Sequence, residues 1–224
     1  MKTPAPPLFP VSRRGAVQIQ EELRDQVCLQ PPRGPFRHLA AGDAAYRRDG
    51  TVFGAMLLFT YPDLVLLESA TAGGLASFPY LPGLLTFREA PVLLEAYAGL
   101  RTRPDLILVD GQGIAHPRSF GLAAHLGVLL DIPAIGCAKS LLYGKHGELG
   151  VARGSTAPLR SGEGRTVGMA VRTREGVKPV YVSPGHRMDL RTSVEVVLSL
   201  ARGFRIPEPL RQAHISVNRW RGPK

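Results

Sequence analysis

Residues 103–118 read RPDLILVDGQGIAHPR, and this stretch decides the fold. The apolar run LILV predicts a short buried strand, and Asp110 follows it directly. The glycines of the next three residues, GQG, allow a bulky group to approach the backbone. Ligands of open α/β sheets bind at the carboxyl ends of the strands, so Asp110 stands where a functional carboxylate would stand. An Asp that only caps the following turn is an equal alternative.

The chain on either side of this strand shows two different patterns. Before it, three apolar runs at 38–46, 52–61 and 64–71 predict an antiparallel meander. After it, helical patterns alternate with short buried runs. The predicted helices are 14–29, 88–99, 119–130, 189–202 and 207–220, and the later strands are 133–138, 166–172 and 178–183. We therefore expect one α/β domain over residues 1–224, a mixed sheet of antiparallel meander plus parallel strands flanked by helices. The glycine-rich stretch 144–164 is predicted to be a mobile insertion.

Composition and charge exclude some classes of protein and favour one class of partner. The 224 residues are 44% hydrophobic, which argues against a disordered chain. Basic side chains number 28 against 18 acidic ones, for a net charge of +10. Residues 151–224 hold 14 basic and 5 acidic side chains, a surplus of nine. This surplus favours a phosphate-bearing partner, and a solvated basic face without a partner is the alternative.

Cysteine use and apolar runs indicate the compartment. Cys28 and Cys137 are far apart and form no CxxC pair, so neither a disulfide framework nor a zinc site is indicated. The N-terminal stretch MKTPAPPLFPVSRRG has prolines where a signal peptide needs an apolar core. The longest apolar run, 120–138, is interrupted by charged and helix-breaking residues, which excludes a membrane span. The expected location is the cytoplasm, with no membrane partner.

Three carboxylates are candidates for a metal site. Asp43 is the single charge in the strand HLAAGDAAY, Glu89 opens a helix, and Asp110 ends a buried strand. Taken one at a time, a solvated Asp43, a Glu89 that complements the helix dipole and an Asp110 turn cap are adequate explanations. As a set at the ends of core elements they indicate hard oxygen ligands for Mg²⁺, with Mn²⁺ as a substitute. Two such ions suit phosphodiester hydrolysis.

Other residues add candidates with simple alternatives. Lys139 ends a buried run and can contact a phosphate, or its ammonium can extend to solvent. His214 lies in a predicted helix, where it can serve proton transfer or have a structural role. His116 and His186 each follow a glycine-bearing turn and fit binding loops or plain turns. Tyr80 lies between prolines as a stiff tip, suited either to wedging between bases or to packing on the surface.

The sequence resembles the endonuclease V family, the deoxyinosine 3′-endonucleases, over nearly its whole length. Six ordered blocks at family spacing carry the resemblance: FPYLPGLLTFRE (78–89), RPDLILVDGQGIAHPR (103–118), GLAAHLGV (121–128), IPAIGCAKSLLYG (132–144), VSPGHRMD (182–189) and RIPEPLRQAH (205–214). The family commonly has a larger apolar residue before its first Asp and a Ser two residues after it, where this chain has AAGDAAY. The segment 145–164 matches poorly.

The resemblance implies an RNase H-like fold and roles for particular residues. Asp43, Glu89 and Asp110 would be metal-binding carboxylates, assisted in catalysis by Lys139 and His214. A strand-separating wedge would comprise Pro79, Tyr80, Leu81, Pro82 and Gly83. A pocket for an extruded hypoxanthine base would be formed around Gly111, His116, Gly121 and Gly136.

The resemblance also implies an activity in DNA repair. Family members cut the second phosphodiester bond 3′ to deoxyinosine and leave 3′-hydroxyl and 5′-phosphate ends. The expected partner is inosine-containing DNA, double- or single-stranded, bound by a monomer. Three alternatives remain: an inosine-specific endoribonuclease, a non-catalytic nucleic-acid-binding protein, and a general RNase H-type nuclease. The last would not need the wedge and pocket blocks.

Overall fold

A single mixed sheet organises the part of the chain that the structure, a computed structural model, describes: residues 12–31 and 34–222. The helices are α1 (Arg13–Arg24), α2 (Thr86–Ala98), α3 (Leu122–Leu130), α4 (Leu190–Leu200) and α5 (Glu208–Arg221). The strands are β1 (His38–Tyr46), β2 (Thr51–Thr60), β3 (Leu66–Leu75), β4 (Leu106–Val109), β5 (Ala134–Ala138), β6 (Thr156–Arg160), β7 (Thr166–Val171) and β8 (Val180–Pro184). The Pro-rich stretch 1–11 lies outside the described residues. None of the helices described is both long enough and apolar enough to cross a membrane.

The strand order of the sheet is β3-β2-β1-β4-β5-β8-β7-β6. The first three strands are the predicted antiparallel meander, and β1, β4 and β5 run parallel to one another. From β5 onward, β8, β7 and β6 add on in antiparallel pairs. The predicted RNase H-like mixed sheet, an antiparallel meander plus parallel strands flanked by helices, is confirmed.

Helices cover both faces of the sheet and bury a separate apolar core on each. Side chains of α4 and α5 pack on one face, against alternate residues of β1, β2, β4 and β5. Side chains of α2 and α3 pack on the other face, against the intervening residues of the same strands. Strand β4 is buried at all four positions because it is central and covered on both sides. Helices α2 and α5 therefore reach the carboxyl edge of the parallel strands from opposite faces.

Several predicted boundaries differ from those of the structure. Helix α1 ends at Arg24 rather than 29, α3 begins at Leu122 rather than 119, and β3 continues to Leu75 rather than 71. The stretch 144–164 is not an irregular insertion throughout, because it contains the edge strand β6. Ala157 and Leu159 are buried at the period of a strand, whereas Pro158 between them hides that period from sequence analysis. Proline is tolerated there because an edge strand need not donate every backbone N–H.

The loop after β4 packs closely on the neighbouring backbone, and glycines make this possible. A Cβ added to Gly136 on β5 would lie 2.5 Å from the backbone N of Gly113 and 2.6 Å from the carbonyl oxygen of Gly111. A Cβ added to Gly121 would lie 2.5 Å from the carbonyl oxygen of Gln112. Two chain segments therefore approach to distances that leave no room for a side chain, which fixes the loop that follows Asp110.

We predict that Gly136→Ala lowers the free energy of unfolding by about 1–3 kcal/mol, since backbone atoms on both sides must shift to admit a methyl group. Urea unfolding measures this change. Gly162→Ala is the matched control, because a Cβ at Gly162 would meet nothing within 4 Å. Equal stability of the two variants would contradict the close approach described here.

Candidate active site

A cavity of about 400 Å³ opens at the carboxyl edge of the parallel strands. It is lined by Asp43 and Ala44 within β1, by the residues that follow β4 and β5, by the start of α2 and by one side chain of α5. All three candidate carboxylates, Asp43, Glu89 and Asp110, line it, together with Lys139 and His214. Residues from five separate elements of the sequence thus meet in one place.

Strand register brings two of the carboxylates together. Gly42 of β1 pairs with Val109 of β4 in parallel, so the residues that follow, Asp43 and Asp110, are neighbours at the sheet edge. Glu89 reaches them from the first turn of α2, where its carboxylate also complements the helix dipole. Asp43 and Glu89 are each only 7% exposed. Three acidic groups therefore share a largely desolvated space.

Burial, together with the crowding of acidic groups, raises the carboxyl pKa values of Asp43 and Glu89. Burial, and next the negative charge of Asp110, raise the pKa of Asp43. Burial raises the pKa of Glu89 to about 8, against a lowering by its hydrogen bond with Tyr46, and the charges of Asp43 and Asp110 raise it further. Buried like charges disfavour the ionised form of each other. The cluster therefore favours any positive charge placed among its members.

Each carboxylate bonds to a different donor of the protein. The Lys139 ammonium forms an ion pair with Asp110, and the Tyr46 hydroxyl donates to Glu89. His214 Nδ1 lies 2.6 Å from Asp43 Oδ2. Burial lowers the pKa of Lys139, but the ion pair with Asp110 outweighs it, and the pKa lies above its usual value. Lys139 is therefore a fixed positive charge at the centre of the site.

The donor set fits a hard divalent cation. Within residues 12–31 and 34–222, no three His, Cys, Asp or Glu side chains stand close enough together to hold an ion in this arrangement. The charge of Asp110 nevertheless raises the pKa of Asp43, and the charges of both raise the pKa of Glu89, so the three groups are near neighbours. Oxygen donors that destabilise one another as anions are the chemistry that Mg²⁺ or Mn²⁺ complements.

Two residues that support the site were not singled out by sequence analysis. Tyr46 ends β1, and its hydroxyl bonds to Glu89. In the sequence, the only sign of this role is that Tyr46 lies three residues after Asp43. Arg205 holds the end of β5: its Nη2 donates to the carbonyl oxygen of Lys139 at 2.5 Å and to that of Pro179 at 2.8 Å. Both contacts join residues distant in sequence, and no local pattern signals them.

The candidate wedge stands at the rim of the same cavity. Tyr80 is 66% exposed, while Phe78 before it and Leu84 after it are buried beside Phe87 of α2. Arg88 Nη1 donates to the carbonyl oxygen of Phe78 at 3.0 Å. Pro79 and Pro82 are exposed with Tyr80, and Leu81 is partly buried. An anchored segment therefore presents one bare aromatic ring to solvent.

Three side chains hold the carbonyl oxygen of Gly83 at the base of this segment. His116 Nε2 lies 2.9 Å from it, Arg118 Nη2 2.6 Å and Gln20 Nε2 3.2 Å. Burial lowers the pKa of His116 to about 4, so the ring is neutral at neutral pH. A carbonyl only accepts, so Nε2 carries the proton, and Nδ1 accepts the Arg118 backbone N–H at 3.2 Å. The turn at Gly83, where φ is +75°, is thereby fixed.

The candidate base-pocket residues divide into two groups. Gly111, His116 and Gly121 line the cavity. Gly136 does not line it, because it lies on β5 behind the loop and packs against the backbone of residues 111–113. Gly136 therefore supports the loop that lines the cavity from behind, and close packing explains the glycine.

His186 is not part of the cavity. It follows the opposite end of β8, where its Nδ1 accepts the Cys28 backbone N–H at 3.3 Å and its Nε2 lies 3.3 Å from Asp131. Of its two interpretations, the plain turn matches these contacts.

Comparison with known proteins assigns the chain to a family. The family model described as Endonuclease V matches residues 21–215. Endonuclease V of Myxococcus xanthus (strain DK1622) is 50% identical over 208 residues, which cover 92% of this chain and 88% of the relative.

Solved structures agree with this assignment. The crystal structure of endonuclease V from Streptomyces avermitilis has a TM-score of 0.90 and 43% identity, covering 96% of this chain and 95% of that one. Ciona intestinalis endonuclease V, in complex with a 24mer DNA containing an inosine followed by a ribo-adenosine, has a TM-score of 0.80 and 25% identity, covering 91% and 95% of the two chains. The chain therefore belongs to the endonuclease V family and is a nuclease.

Proposed function

We propose that this chain is a DNA repair endonuclease that recognises deoxyinosine and hydrolyses the second phosphodiester bond 3′ to it, leaving 3′-hydroxyl and 5′-phosphate ends. The observation that carries the proposal is the meeting of Asp43, Glu89 and Asp110 in one cavity beside the exposed Tyr80. The inosine-containing DNA bound to the Ciona intestinalis relative supports the substrate. The enzyme acts as a monomer in the cytoplasm, whose reducing conditions suit its two free thiols, Cys28 and Cys137.

Asp43, Glu89 and Asp110 would hold Mg²⁺, with Mn²⁺ as a substitute. When bound, the metal neutralises charge on the phosphate oxygens and makes the attacking water more acidic. The carboxylates in turn set its position through the paired ends of β1 and β4. The raised pKa values of Asp43 and Glu89 support this assignment, because a cation favours the ionised form of each.

The remaining side chains act on the phosphate and on protons. Lys139 presents a positive charge beside Asp110 and stabilises the negative charge that grows on the scissile phosphate. Arg205 holds Lys139 in place through a hydrogen bond to its carbonyl oxygen. The His214 side chain is 52% exposed, and its Nδ1 is bonded to Asp43. This bond orients the ring, and the rest of the ring is open to the cavity. An oriented imidazole can accept the proton of the attacking water or supply one to the leaving oxygen.

The base is recognised after it leaves the duplex. Tyr80 enters the stack as a wedge, and the flipped hypoxanthine occupies the part of the cavity near Gly83, Gly111 and Gly121. Gln112 lines this cavity and has a buried Oε1 with no hydrogen-bond partner in the part of the chain that the structure describes. This acceptor suits the N1–H donor of hypoxanthine, which adenine lacks. A tight wall of glycines would reject the 2-amino group of guanine by size.

RNA is the second candidate substrate. The DNA in the Ciona intestinalis complex carries a ribo-adenosine directly after the inosine, so a related site accommodates a 2′-hydroxyl next to the lesion. Cutting of one inosine oligomer, made once as DNA and once as RNA, separates the two candidates.

We predict that Asp110→Asn lowers the rate of cutting of inosine DNA by at least about 100-fold, because the charge stabilisation that the metal supplies is worth several kcal/mol. Binding of the same DNA should persist. Single-turnover cutting and a binding titration, with and without Mg²⁺, measure the two effects. Asp63→Asn, in the exposed turn between β2 and β3, is the control and should change neither. Wild-type cutting by Asp110→Asn would rule out the metal role.

Tyr80→Ala should slow the cutting of inosine in a duplex more than in a single strand, since only the duplex has to be opened. Tyr80 is exposed, so the substitution leaves the fold intact. Tyr80→Phe keeps the ring and should cut both substrates at nearly the unmodified rate. Equal losses on duplex and single strand in Tyr80→Ala would show that this side chain stacks or packs without separating strands.

The basic surplus of residues 151–224 should make binding strongly dependent on salt. Three phosphate contacts would lower the affinity for duplex DNA about 40-fold between about 50 and 200 mM salt, through counterion release. The double variant Arg174→Ala, Lys178→Ala removes two exposed charges and should make the log–log slope shallower. Fluorescence anisotropy over a salt series measures the slope. A flat response in the unmodified protein would exclude this contribution.

A further inference from the structure

Phe204 is an exposed aromatic ring on the short loop between α4 and α5. The side chain is 45% exposed, whereas Ile206, two residues later, packs against the core beneath α5. The guanidinium carbon of Arg211 lies 4.5 Å from the centre of the Phe204 ring. Arg211 is itself held by Glu208, with Nε and Nη2 each 2.7 Å from a carboxylate oxygen. The ring is therefore supported from one side and remains open to solvent.

Two short connections place this ring near the reacting groups. Arg211 precedes His214 by three residues on α5, a spacing that puts both on one face of the helix. Arg205, the next residue after Phe204, donates to the carbonyl oxygen of Lys139. Phe204 itself does not line the cavity. Its neighbours Arg205 and Arg211 connect it to the elements that carry Lys139 and His214.

Phe204 and Tyr80 lie on opposite sides of the carboxylates. The Tyr80 segment leads into α2, which packs on one face of the sheet, and Phe204 leads into α5, which packs on the other. Asp43 and Asp110 stand at the sheet edge between these faces. A nucleic-acid strand that passes from Tyr80 over the carboxylates leaves the site on the side of Phe204.

The chemistry of the pair suits an unstacked base. An aromatic ring with one open face accepts the π-face of any base, and an arginine on its other face adds a positive charge. Arg202 and Arg205 flank the ring in sequence, but their guanidinium groups donate to backbone carbonyl oxygens, so Arg211 is the cation that contacts the ring. An exposed phenylalanine gains little from burial in the free protein, and a base would supply the missing contact.

We infer that Phe204, backed by Arg211, is a stacking platform for one base of the cleaved strand beyond the scissile bond. This inference rests on the proposed function, and it adds a specific contact to the nucleotides that leave on the 3′ side. The contact is tolerant of base identity, because stacking does not read hydrogen-bonding edges. It holds the strand in line across Asp43 and Asp110 while the lesion base is bound on the other side.

The test combines base removal with substitution of the ring. A single-stranded oligomer with one inosine, which needs no strand separation, is prepared intact and with one abasic site at each of the first four positions 3′ to the inosine. For the unmodified protein, one abasic position should raise KM about 5- to 150-fold, the range that corresponds to about 1–3 kcal/mol of base stacking. Phe204→Ala should have a similarly raised KM on the intact oligomer, and an abasic site at the sensitive position should raise its KM no further.

Matched variants separate stacking from structure. Phe204→Trp should restore both the low KM and the sensitivity to the abasic site, and Phe204→Leu, apolar but without a ring, should restore neither. Leu67→Ala, at a side chain that is 44% exposed on β3, should behave as the unmodified protein. Equal sensitivity of Phe204→Ala and the unmodified protein, or no sensitivity at any position, would overturn the platform. Absence of cutting of every inosine oligomer by the unmodified protein would overturn the proposed function as well.

Discussion

Repulsion between carboxylates held at one sheet edge is the interaction on which the rest of this structure depends. Parallel pairing of β1 with β4 places Asp43 beside Asp110, and burial of both strands prevents either from moving away. In a desolvated site such repulsion is far stronger than in water. Lys139, His214 and Tyr46 relieve it, each from a different place in the chain. Arg205 and the tightly packed glycine loop are the second layer that keeps these groups in position.

Sequence patterns predicted the elements of this fold because burial is encoded locally. Short windows of sequence are enough to show the run LILV, the three apolar strands of the meander and the isolated carboxylates. The blocks that resemble the family indicated which of these carboxylates belong to one site. The cross-links could not be read in this way. Tyr46 meets Glu89 across 43 residues, Arg205 meets Lys139 across 66, and Gln20 meets Arg118 across 98. Strand β6 was missed for a different reason, since Pro158 stands where an alternating strand pattern would show another residue.

The segment that carries Tyr80 is held rigidly in the fold. The Tyr80 segment is bound at both ends, through Phe78 and Leu84 in the core and through the three donors on the Gly83 carbonyl oxygen. A flexible segment could not separate stacked bases, so this rigidity is consistent with the proposed insertion of Tyr80 into a nucleic acid. The neutral state of His116 matters here, because a protonated ring would place a second buried charge beside Arg118.

The buried acidic groups of the site lower the stability of the fold, and Glu89 shows this effect most clearly. Its ordinary pKa of 4.5 rises to about 8 on folding, mainly through burial. Between these two values the folded chain keeps a proton that the unfolded chain has released, so the free energy of unfolding falls as pH rises from about 4.5 to about 8. A buried leucine at this place would avoid the penalty. In the proposed metal site a divalent cation would offset this penalty further than Lys139 and His214 do, because it would place two positive charges among the carboxylates. The carboxyl groups that lower the stability of the ion-free protein as pH rises are therefore the ones that the metal of the proposed hydrolysis would stabilise in their ionised form.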